Sequence, residues 1–252
     1  MTADEDRTGR AALGAALADV RRRVATACAA AGRDPHEVRI LLATKTVPAA
    51  TVRLALEADA AARAADPTLP SVLVGENRVQ ELVAKGPDLA DLAPTTHLIG
   101  PLQTNKVNAA LRWASCVQSV ASVDLATRLA ARVDPARAPL DVLVQVNVSG
   151  EPTKNGVSPA EAAALADRVA ALGSLRLAGF MTVGANSPDT VRIRDGYALL
   201  REIRDATLTA GHATARELSM GMSRDLEVAV AEGATMVRVG TAVFGARPTP
   251  VA

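Results

Sequence analysis

Short apolar runs alternate with stretches of helical spacing along most of this chain. Eight of the runs have the length and composition of buried strands: 38–43, 72–74, 97–99, 116–120, 140–148, 175–183, 217–220 and 236–239. Such alternation is typical of a parallel sheet covered by helices. Eight strand–helix units within 252 residues match an α/β fold of the (β/α)₈ TIM-barrel type in both number and length. An open, doubly wound sheet is the alternative.

Helical segments fill the spaces between the runs. The alanine-rich stretch 10–31 carries Leu13, Leu17, Val20 and Val24 on one face, and it precedes the first strand as an extra N-terminal helix. The other predicted helices include 49–63, 123–133, 159–172, 190–210 and 224–232. Because no repeat or linker divides the chain, we expect one domain over residues 1–252, with a longer surface loop at 60–70.

Charge and composition exclude several classes of partner. The chain has 28 basic and 27 acidic residues and 2% aromatic residues, whereas nucleic-acid binding favours a basic surface and stacking aromatics. No apolar run approaches the ~20 residues of a membrane span, and the N-terminus is polar and acidic. We therefore expect a cytoplasmic protein with no nucleic-acid or membrane partner. Cys28 and Cys116 have neither metal-ligand spacing nor the pattern of a disulfide framework.

Lys45 is the most informative single residue, because it follows the first apolar run at the end where such barrels place their chemistry. Its amine is predicted to reach the barrel mouth, where partial burial would favour Schiff-base chemistry. Lysine is scarce in this chain and occurs otherwise only at Lys85, Lys106 and Lys154. A strand-end lysine that simply reaches solvent is the alternative interpretation.

Two segments have the character of an anion-binding cradle. One runs from Ser219 through Gly221 to Ser223 and leads into a predicted helix, and the other is Gly240–Thr241 at the end of the last strand. Small residues, hydroxyl groups and helix starts suit a phosphate, and the loops after strands seven and eight are the usual phosphate site of these barrels. An ordinary helix cap at Ser223 and a tight turn at Gly240 are the alternatives.

Arg238 interrupts an apolar strand, between Val237 and Val239, so its side chain is predicted to face the barrel interior. A buried guanidinium needs a partner, because an unpaired buried charge is costly. That partner could be a carboxylate such as Glu76, at the end of the second strand, or the ring nitrogen of a bound heterocycle.

Together these segments resemble the pyridoxal phosphate homeostasis proteins, the YggS/PROSC-type family. The matching stretches follow the family order over nearly the whole chain: LLATKT around Lys45, VGENRVQE from Val74, HLIGPLQTNK from His97, LDVLVQVNVSGEPTKNG from Leu140, LAGFMTVG from Leu177, ELSMGMSRDLEVAV from Glu217 and MVRVGTAVFGAR from Met236. The chain departs from the family at Val74, Arg78 and Thr96, where aromatic residues are usual.

The resemblance implies a fold like the N-terminal barrel of alanine racemase, with pyridoxal 5'-phosphate (PLP) held as a Schiff base. It implies that Lys45 is the attachment lysine and that Arg238 faces the pyridine nitrogen. Asn77 and Met222 would lie near the cofactor. The phosphate would be held by Ser219, Gly221, Ser223, Gly240 and Thr241. Family members are regarded as regulators of the PLP supply.

Two features argue against efficient catalysis. An arginine cannot accept the proton that would make the pyridine ring an effective electron sink. Alanine racemase also needs a tyrosine base, which is supplied across a dimer whose subunits have an additional β domain. We expect no such domain here. The only tyrosine of the chain, Tyr197, lies in a predicted helix. We therefore expect a monomer that holds PLP without efficient turnover, with PLP-dependent apo-enzymes as candidate recipients of the cofactor. The alternatives are a PLP-dependent racemase or related enzyme on a bare barrel, and a Schiff-base aldolase that uses Lys45 without PLP.

Overall fold

The computed structural model describes residues 3–245, and within them eight parallel strands close into a barrel in the order β1 to β8, with β8 pairing β1. The strands are β1 Arg39–Ala43, β2 Leu73–Glu76, β3 Thr96–Leu98, β4 Cys116–Val120, β5 Leu140–Gln145, β6 Leu175–Met181, β7 Glu217–Met222 and β8 Met236–Val239. The predicted (β/α)₈ barrel is confirmed, and the doubly wound alternative is wrong.

Helices follow the strands and cover the barrel on the outside. They are α1 Ala3–Ala30, α2 Ala49–Ala65, α3 Val79–Leu89, α4 Val107–Leu111, α5 Val123–Ala130, α6 Ala162–Ala170, α7 Thr190–Thr209, α8 Leu226–Ala231 and α9 Thr241–Phe244. The extra helix α1 packs along α2 and α8, where Arg21 pairs with Asp59 and Arg23 with Glu227. None of the described helices combines the length and apolar character needed to cross a bilayer.

Alternation along the strands separates two layers of core. Leu41, Leu73 and Met236 form one buried cluster inside the barrel, and Leu42 faces the larger apolar layer between strands and helices. Gly75 points inward, because a Cβ there would lie 2.1 Å from the Leu41 side chain. Val74 and Glu76 therefore point outward, toward the helices.

The predicted surface loop at 60–70 is wrong in its first half. Helix α2 continues to Ala65, and only the shorter segment 66–72 connects it to β2. Alanine has the highest helix propensity, so the alanine-rich end of this segment extends the helix by itself. The helix is also anchored there by the buried Asp59, which pairs with Arg21 and with Arg63 one turn later.

Candidate functional site

A cleft of 1240 Å³ opens at the carboxyl ends of the strands. Seven of the nine predicted site residues line it: Lys45, Asn77, Met222, Ser223, Arg238, Gly240 and Thr241. Among the described residues, the lining also contains Lys154, Arg224 and one acidic residue, Asp225. Lys154 is paired with Glu151 outside the lining, and the remaining three basic side chains against one carboxylate still make the cleft electropositive, so it favours an anionic ligand.

Lys45 is half-buried and lies two residues beyond the last residue of β1. Both of its neighbours are held by hydrogen bonds from outside the barrel. The Thr44 hydroxyl donates to Glu76 Oε1 at 2.5 Å, and the Thr44 carbonyl accepts from Lys85 Nζ at 2.7 Å. On the other side, the backbone N–H of Thr46 donates to Glu81 Oε2 at 2.7 Å. These contacts fix the peptide that carries the lysine.

Lys85 joins these contacts into one cluster, because its ammonium also donates to Glu76 Oε1 at 2.7 Å and lies 3.5 Å from Glu81 Oε2. Burial raises the pKa of the Glu76 carboxyl, and the hydrogen bonds from Lys85 and Thr44 oppose that rise. Neither Glu76, Glu81 nor Lys85 lines the cleft. They therefore act on Lys45 through its backbone and not by contact with a ligand in the cleft.

Thr46, the residue after Lys45, has a strained backbone conformation that this cluster stabilises. Its φ of 64° lies in the left-handed region, which costs a β-branched residue about 1–3 kcal/mol. The conformation persists because Glu81 accepts its N–H and because the Thr46 hydroxyl donates to the Lys45 carbonyl at 2.6 Å. The two hydrogen bonds thereby keep the backbone of Lys45 in one orientation relative to the cleft.

We expect Glu81→Ala to release Thr46 and to weaken covalent attachment of an aldehyde ligand at Lys45 about tenfold, as loss of a charge-assisted hydrogen bond predicts. Glu81→Gln keeps an acceptor oxygen and serves as the matched control. The measurement is the equilibrium constant of covalent attachment, together with the melting temperature of each variant. Equal constants for Glu81→Ala and the unmodified chain would contradict the role assigned to Glu81.

Arg238 is buried inside the barrel and reaches the floor of the cleft. It donates to Ser219 Oγ at 2.8 Å and to the Thr182 carbonyl at 2.6 Å. The possible pairing with Glu76 is wrong, because Glu76 points outward to Lys85 on α3. Burial lowers the pKa of the guanidinium, but an arginine pKa is high enough to leave it charged.

A chain of buried polar groups supports Arg238 from below. Ser219 Oγ accepts from Arg238 and donates to Gln118 Oε1 at 2.6 Å, and the Gln118 amide contacts His97 Nδ1 at 2.7 Å. Because the Gln118 oxygen is the acceptor for Ser219, its Nε2 is the donor to His97, which assigns the imidazole proton to Nε2. His97 is thus a neutral, packed residue, and burial lowers its pKa to about 4.

This depressed pKa predicts a pH-dependent contribution to stability. Between about pH 6.5 and pH 4 the unfolded chain binds a proton at His97 that the folded chain does not, so stability is lost as the pH falls through this window. We expect a loss of about 3 kcal/mol in the free energy of unfolding, because the pKa of His97 lies near 6.5 in the unfolded chain and at about 4 in the folded one. Urea titrations at pH 7 and pH 4 measure it, and a His97→Gln variant with the same loss would contradict the assignment.

The five residues predicted to bind a phosphate divide into two groups. Ser223, Gly240 and Thr241 line one side of the cleft, where the Ser223 hydroxyl accepts from the backbone N–H of Ala242 at 3.3 Å. Arg23 of α1 fixes this segment from outside by donating to the Ser223 carbonyl at 2.9 Å. Asp225 occupies the N-cap position of α8, which begins at Leu226, so Ser223 is not its N-cap.

Ser219 and Gly221 lie outside the cleft lining. The Ser219 hydroxyl is fully buried and is engaged by both Arg238 and Gln118, so the structure places it in the support of Arg238 and not among the phosphate candidates. Gly221 has a φ of 87° and faces α8, where a Cβ would lie 2.4 Å from that of Ala229. Its conformation shapes the turn into the Ser223 segment.

The sequence interpretation missed the wall formed by the loop after β6, which contributes residues 183–188 to the cleft, and the contributions of Phe244 and Lys154. The run predicted to extend to residue 183 ends as a strand at Met181, and the following loop turns over the barrel mouth. The sequence feature that could have indicated this wall is that the loop directly follows a predicted strand, where barrels of this type place their sites. Lys154 lies against this loop and donates to the Gly184 carbonyl at 2.8 Å.

The fold and the cleft define a (β/α)₈-barrel protein with a small-molecule site built around a strand-end lysine. The chain belongs to the family described as alanine racemase, N-terminal domain, which matches residues 17–248, and within it to the pyridoxal phosphate homeostasis proteins. The pyridoxal phosphate homeostasis protein of Pseudomonas aeruginosa is 43% identical over 231 residues, which are 92% of this chain and 94% of the relative.

Two solved structures share both fold and sequence with this chain. A crystal structure of an unknown protein from Bifidobacterium adolescentis has a TM-score of 0.85 and 37% identity, over 94% of this chain and 96% of that one. PipY of Synechococcus elongatus, solved with PLP bound, has a TM-score of 0.76 and 31% identity, over 92% of this chain and all of PipY. The predicted family is confirmed.

Proposed function

We propose that this chain binds PLP in the cleft, with Lys45 as the covalent attachment residue, and that it serves PLP homeostasis without efficient turnover of amino acids. The observation that carries the proposal is the convergence of Lys45, Arg238 and the Ser223 and Gly240–Thr241 segments on one electropositive cleft. The names of the relatives support it, since one is called a pyridoxal phosphate homeostasis protein and another was solved with PLP bound.

The groups present in the cleft fit this cofactor. An amine suits the aldehyde, hydroxyl donors on Ser223 and Thr241 beside Gly240 suit the phosphate, and the Arg238 guanidinium suits the pyridine nitrogen. Asn77 and Met222 line the same cleft and would lie beside the bound cofactor. When bound, PLP supplies a reversible covalent link to amines and an electron sink.

Arg238 limits what that electron sink can do. It has only donor groups, and two of them are already fixed by Ser219 and the Thr182 carbonyl, so it can donate to a ring nitrogen but cannot accept a proton from it. With a donor at this position the ring nitrogen of bound PLP would stay unprotonated, and stabilisation of a carbanion would be weakened. This supports the proposal of a protein that holds PLP over that of an efficient enzyme.

Tyr197 does not supply the second base that a racemase needs. It is fully buried and donates to Asp225 Oδ2 at 2.7 Å, and burial raises the pKa of its hydroxyl further from neutrality. It is also absent from the lining of the cleft.

We further propose that the protein acts as a monomer in the cytoplasm and supplies PLP to PLP-dependent apo-enzymes.

We expect amino acids incubated with the PLP-loaded protein to exchange Cα hydrogen with solvent deuterium at rates close to those with free PLP, because the donor-only Arg238 would leave the carbanion that exchange requires weakly stabilised. Racemisation would be slow in addition, because Lys45 can serve only one face of the substrate. The measurement is mass spectrometry of alanine and serine after incubation in deuterated buffer. Exchange or racemisation at ordinary enzyme rates, of order 1–10³ per second, would instead favour the racemase alternative.

A further inference from the structure

The turn after β7 lines the Lys45 cleft, and Asp225 closes it with two hydrogen bonds. The backbone N–H of Asp225 donates to the Met222 carbonyl at 3.2 Å, and Asp225 Oδ1 accepts from the Met222 N–H at 2.6 Å. Between these two residues, the backbone N–H groups of Ser223 and Arg224 form no hydrogen bond within residues 3–245. Because Ser223 and Arg224 line the cleft, both donors are available to an anion bound there.

Asp225 is an unexpected residue in the wall of an electropositive cleft. It is 9% exposed, and its side-chain partners in the described part of the chain are two neutral donors, the Met222 N–H and the Tyr197 hydroxyl. A buried carboxylate without a direct ion pair is costly, and its charge also repels an anion in the cleft. The position of Asp225 is therefore explained by the turn that it fixes and not by its charge.

Tyr197 anchors the Asp225 carboxylate from beneath the cleft. Its ring is fully buried in the apolar layer between strands and helices, and its hydroxyl donates to Asp225 Oδ2 at 2.7 Å. The same hydroxyl packs against the loop after β6, because a Cβ at Gly184 would lie 2.5 Å from it. Since a close-packed ring has little freedom to move, the hydroxyl is a fixed point against which the carboxylate is oriented.

We propose that Tyr197 and Asp225 are positioning residues for the phosphate side of the site and set its preference for a phosphorylated ligand. Tyr197 orients Asp225, and Asp225 orients the turn so that the Ser223 and Arg224 N–H groups are presented to the phosphate. This inference rests on the proposed function. It predicts that losing either positioning group weakens recognition of the phosphate and leaves recognition of the aldehyde and ring intact.

The first test compares PLP with 5'-deoxypyridoxal, which has the same ring and aldehyde but a methyl group in place of the phosphate ester. Both are titrated into PLP-free protein, and the absorbance of the covalently attached ligand gives each affinity. We expect Tyr197→Phe to weaken PLP binding at least fivefold and to change 5'-deoxypyridoxal binding less than twofold. Equal weakening of both ligands, or unchanged PLP affinity, overturns the proposal.

Asp225→Ala separates positioning from simple electrostatics, because the two predict effects of opposite sign. Removing the charge alone would strengthen binding of a phosphate, whereas losing the hold on Met222 and Tyr197 weakens it. We expect PLP to bind at least tenfold more weakly, with a smaller loss in Asp225→Asn, whose Oδ1 can still accept from the Met222 N–H. Tighter PLP binding by folded Asp225→Ala, or equal losses in the two variants, overturns the proposal. If Asp225→Ala does not fold, the result for Tyr197→Phe decides.

Thr207→Val is the matched control. Thr207 is a buried hydroxyl residue on the same helix, α7, and donates to the Ile203 carbonyl at 2.8 Å, outside the lining of the cleft. Its loss is expected to lower the melting temperature and to leave the ratio of the two affinities unchanged. A fall in this ratio as large as that in Tyr197→Phe would show a general effect of α7 and overturn the proposal.

Inorganic phosphate distinguishes failure of this inference from failure of the proposed function. It is titrated into PLP-free protein while the backbone amide signals of Ser223 and Arg224 are followed by NMR. We expect both signals to shift, and Tyr197→Phe to weaken the response at least fivefold. Absence of these shifts, or an unchanged response in the variant, overturns the inference. A chain that shows the expected phosphate response but attaches neither PLP nor 5'-deoxypyridoxal overturns the proposed function and leaves the positioning roles standing.

Discussion

Lys45→Ala is expected to abolish covalent attachment of PLP while the barrel stays folded. Lys45 is half-buried in the wall of the electropositive cleft, and its amine is the only group there that the proposal assigns to the aldehyde. Truncating a half-buried side chain in a loop after β1 removes no part of either core layer. The measurement is the visible absorbance of the lysine-bound cofactor after incubation with PLP, with circular dichroism for the fold.

Lys106→Ala is the matched control, because Lys106 lies outside the cleft lining and is expected to leave the absorbance unchanged. The outcome that contradicts the assignment is a Lys45→Ala variant that is folded and still develops the full absorbance of the attached cofactor. The amine would then have to come from another lysine.

Combined Ser223→Ala and Thr241→Val is expected to weaken PLP binding about 100-fold or more while the covalent link still forms. Both hydroxyls line the cleft on the side assigned to the phosphate, and each donor lost to a charged group costs about 1.5–3 kcal/mol. Equilibrium titration of the PLP-free variant measures the affinity, and borohydride reduction at saturating PLP measures the link.

Ser174→Ala combined with Thr214→Val is the matched control. These hydroxyls donate to the carbonyls of Ala130 and Leu177 near the amino ends of the strands, far from the cleft, so their loss affects stability without affecting the phosphate. If the Ser223 and Thr241 double variant binds PLP as tightly as this control, the phosphate lies elsewhere.

The fold was predictable because each buried strand is a short apolar run and each long helix carries apolar residues at helical spacing. The bounds predicted for β4 and β8 agree with the structure, and the errors lie at element ends, as where α2 runs on to Ala65. The alanine-rich end of α2 and the i,i+4 pair of Asp59 with Arg63 were local signals that the helix continues, whereas the ion pair of Asp59 with Arg21 joins residues distant in sequence and could not be predicted.

The site was predictable only in part, since strand ends identify candidates but not their partners. Lys45 and Arg238 do share one cleft. Strand parity could have separated Glu76 from Arg238, because Gly75 points into the barrel and its neighbour must point out. The contact of Glu81 with Thr46 and the place of Ser219 beneath Arg238 join residues distant in sequence, so only the folded structure reveals them.

The central claim is that the Lys45 amine holds PLP, and mapping of the modified lysine tests it most directly. The unmodified protein is incubated with PLP, reduced with borohydride, digested and analysed by mass spectrometry, with Lys85, Lys106 and Lys154 as the other possible sites. We predict the phosphopyridoxyl label on the peptide that contains Lys45, in about equimolar amount. Label on Lys106 or Lys154 and none on Lys45 would contradict the account.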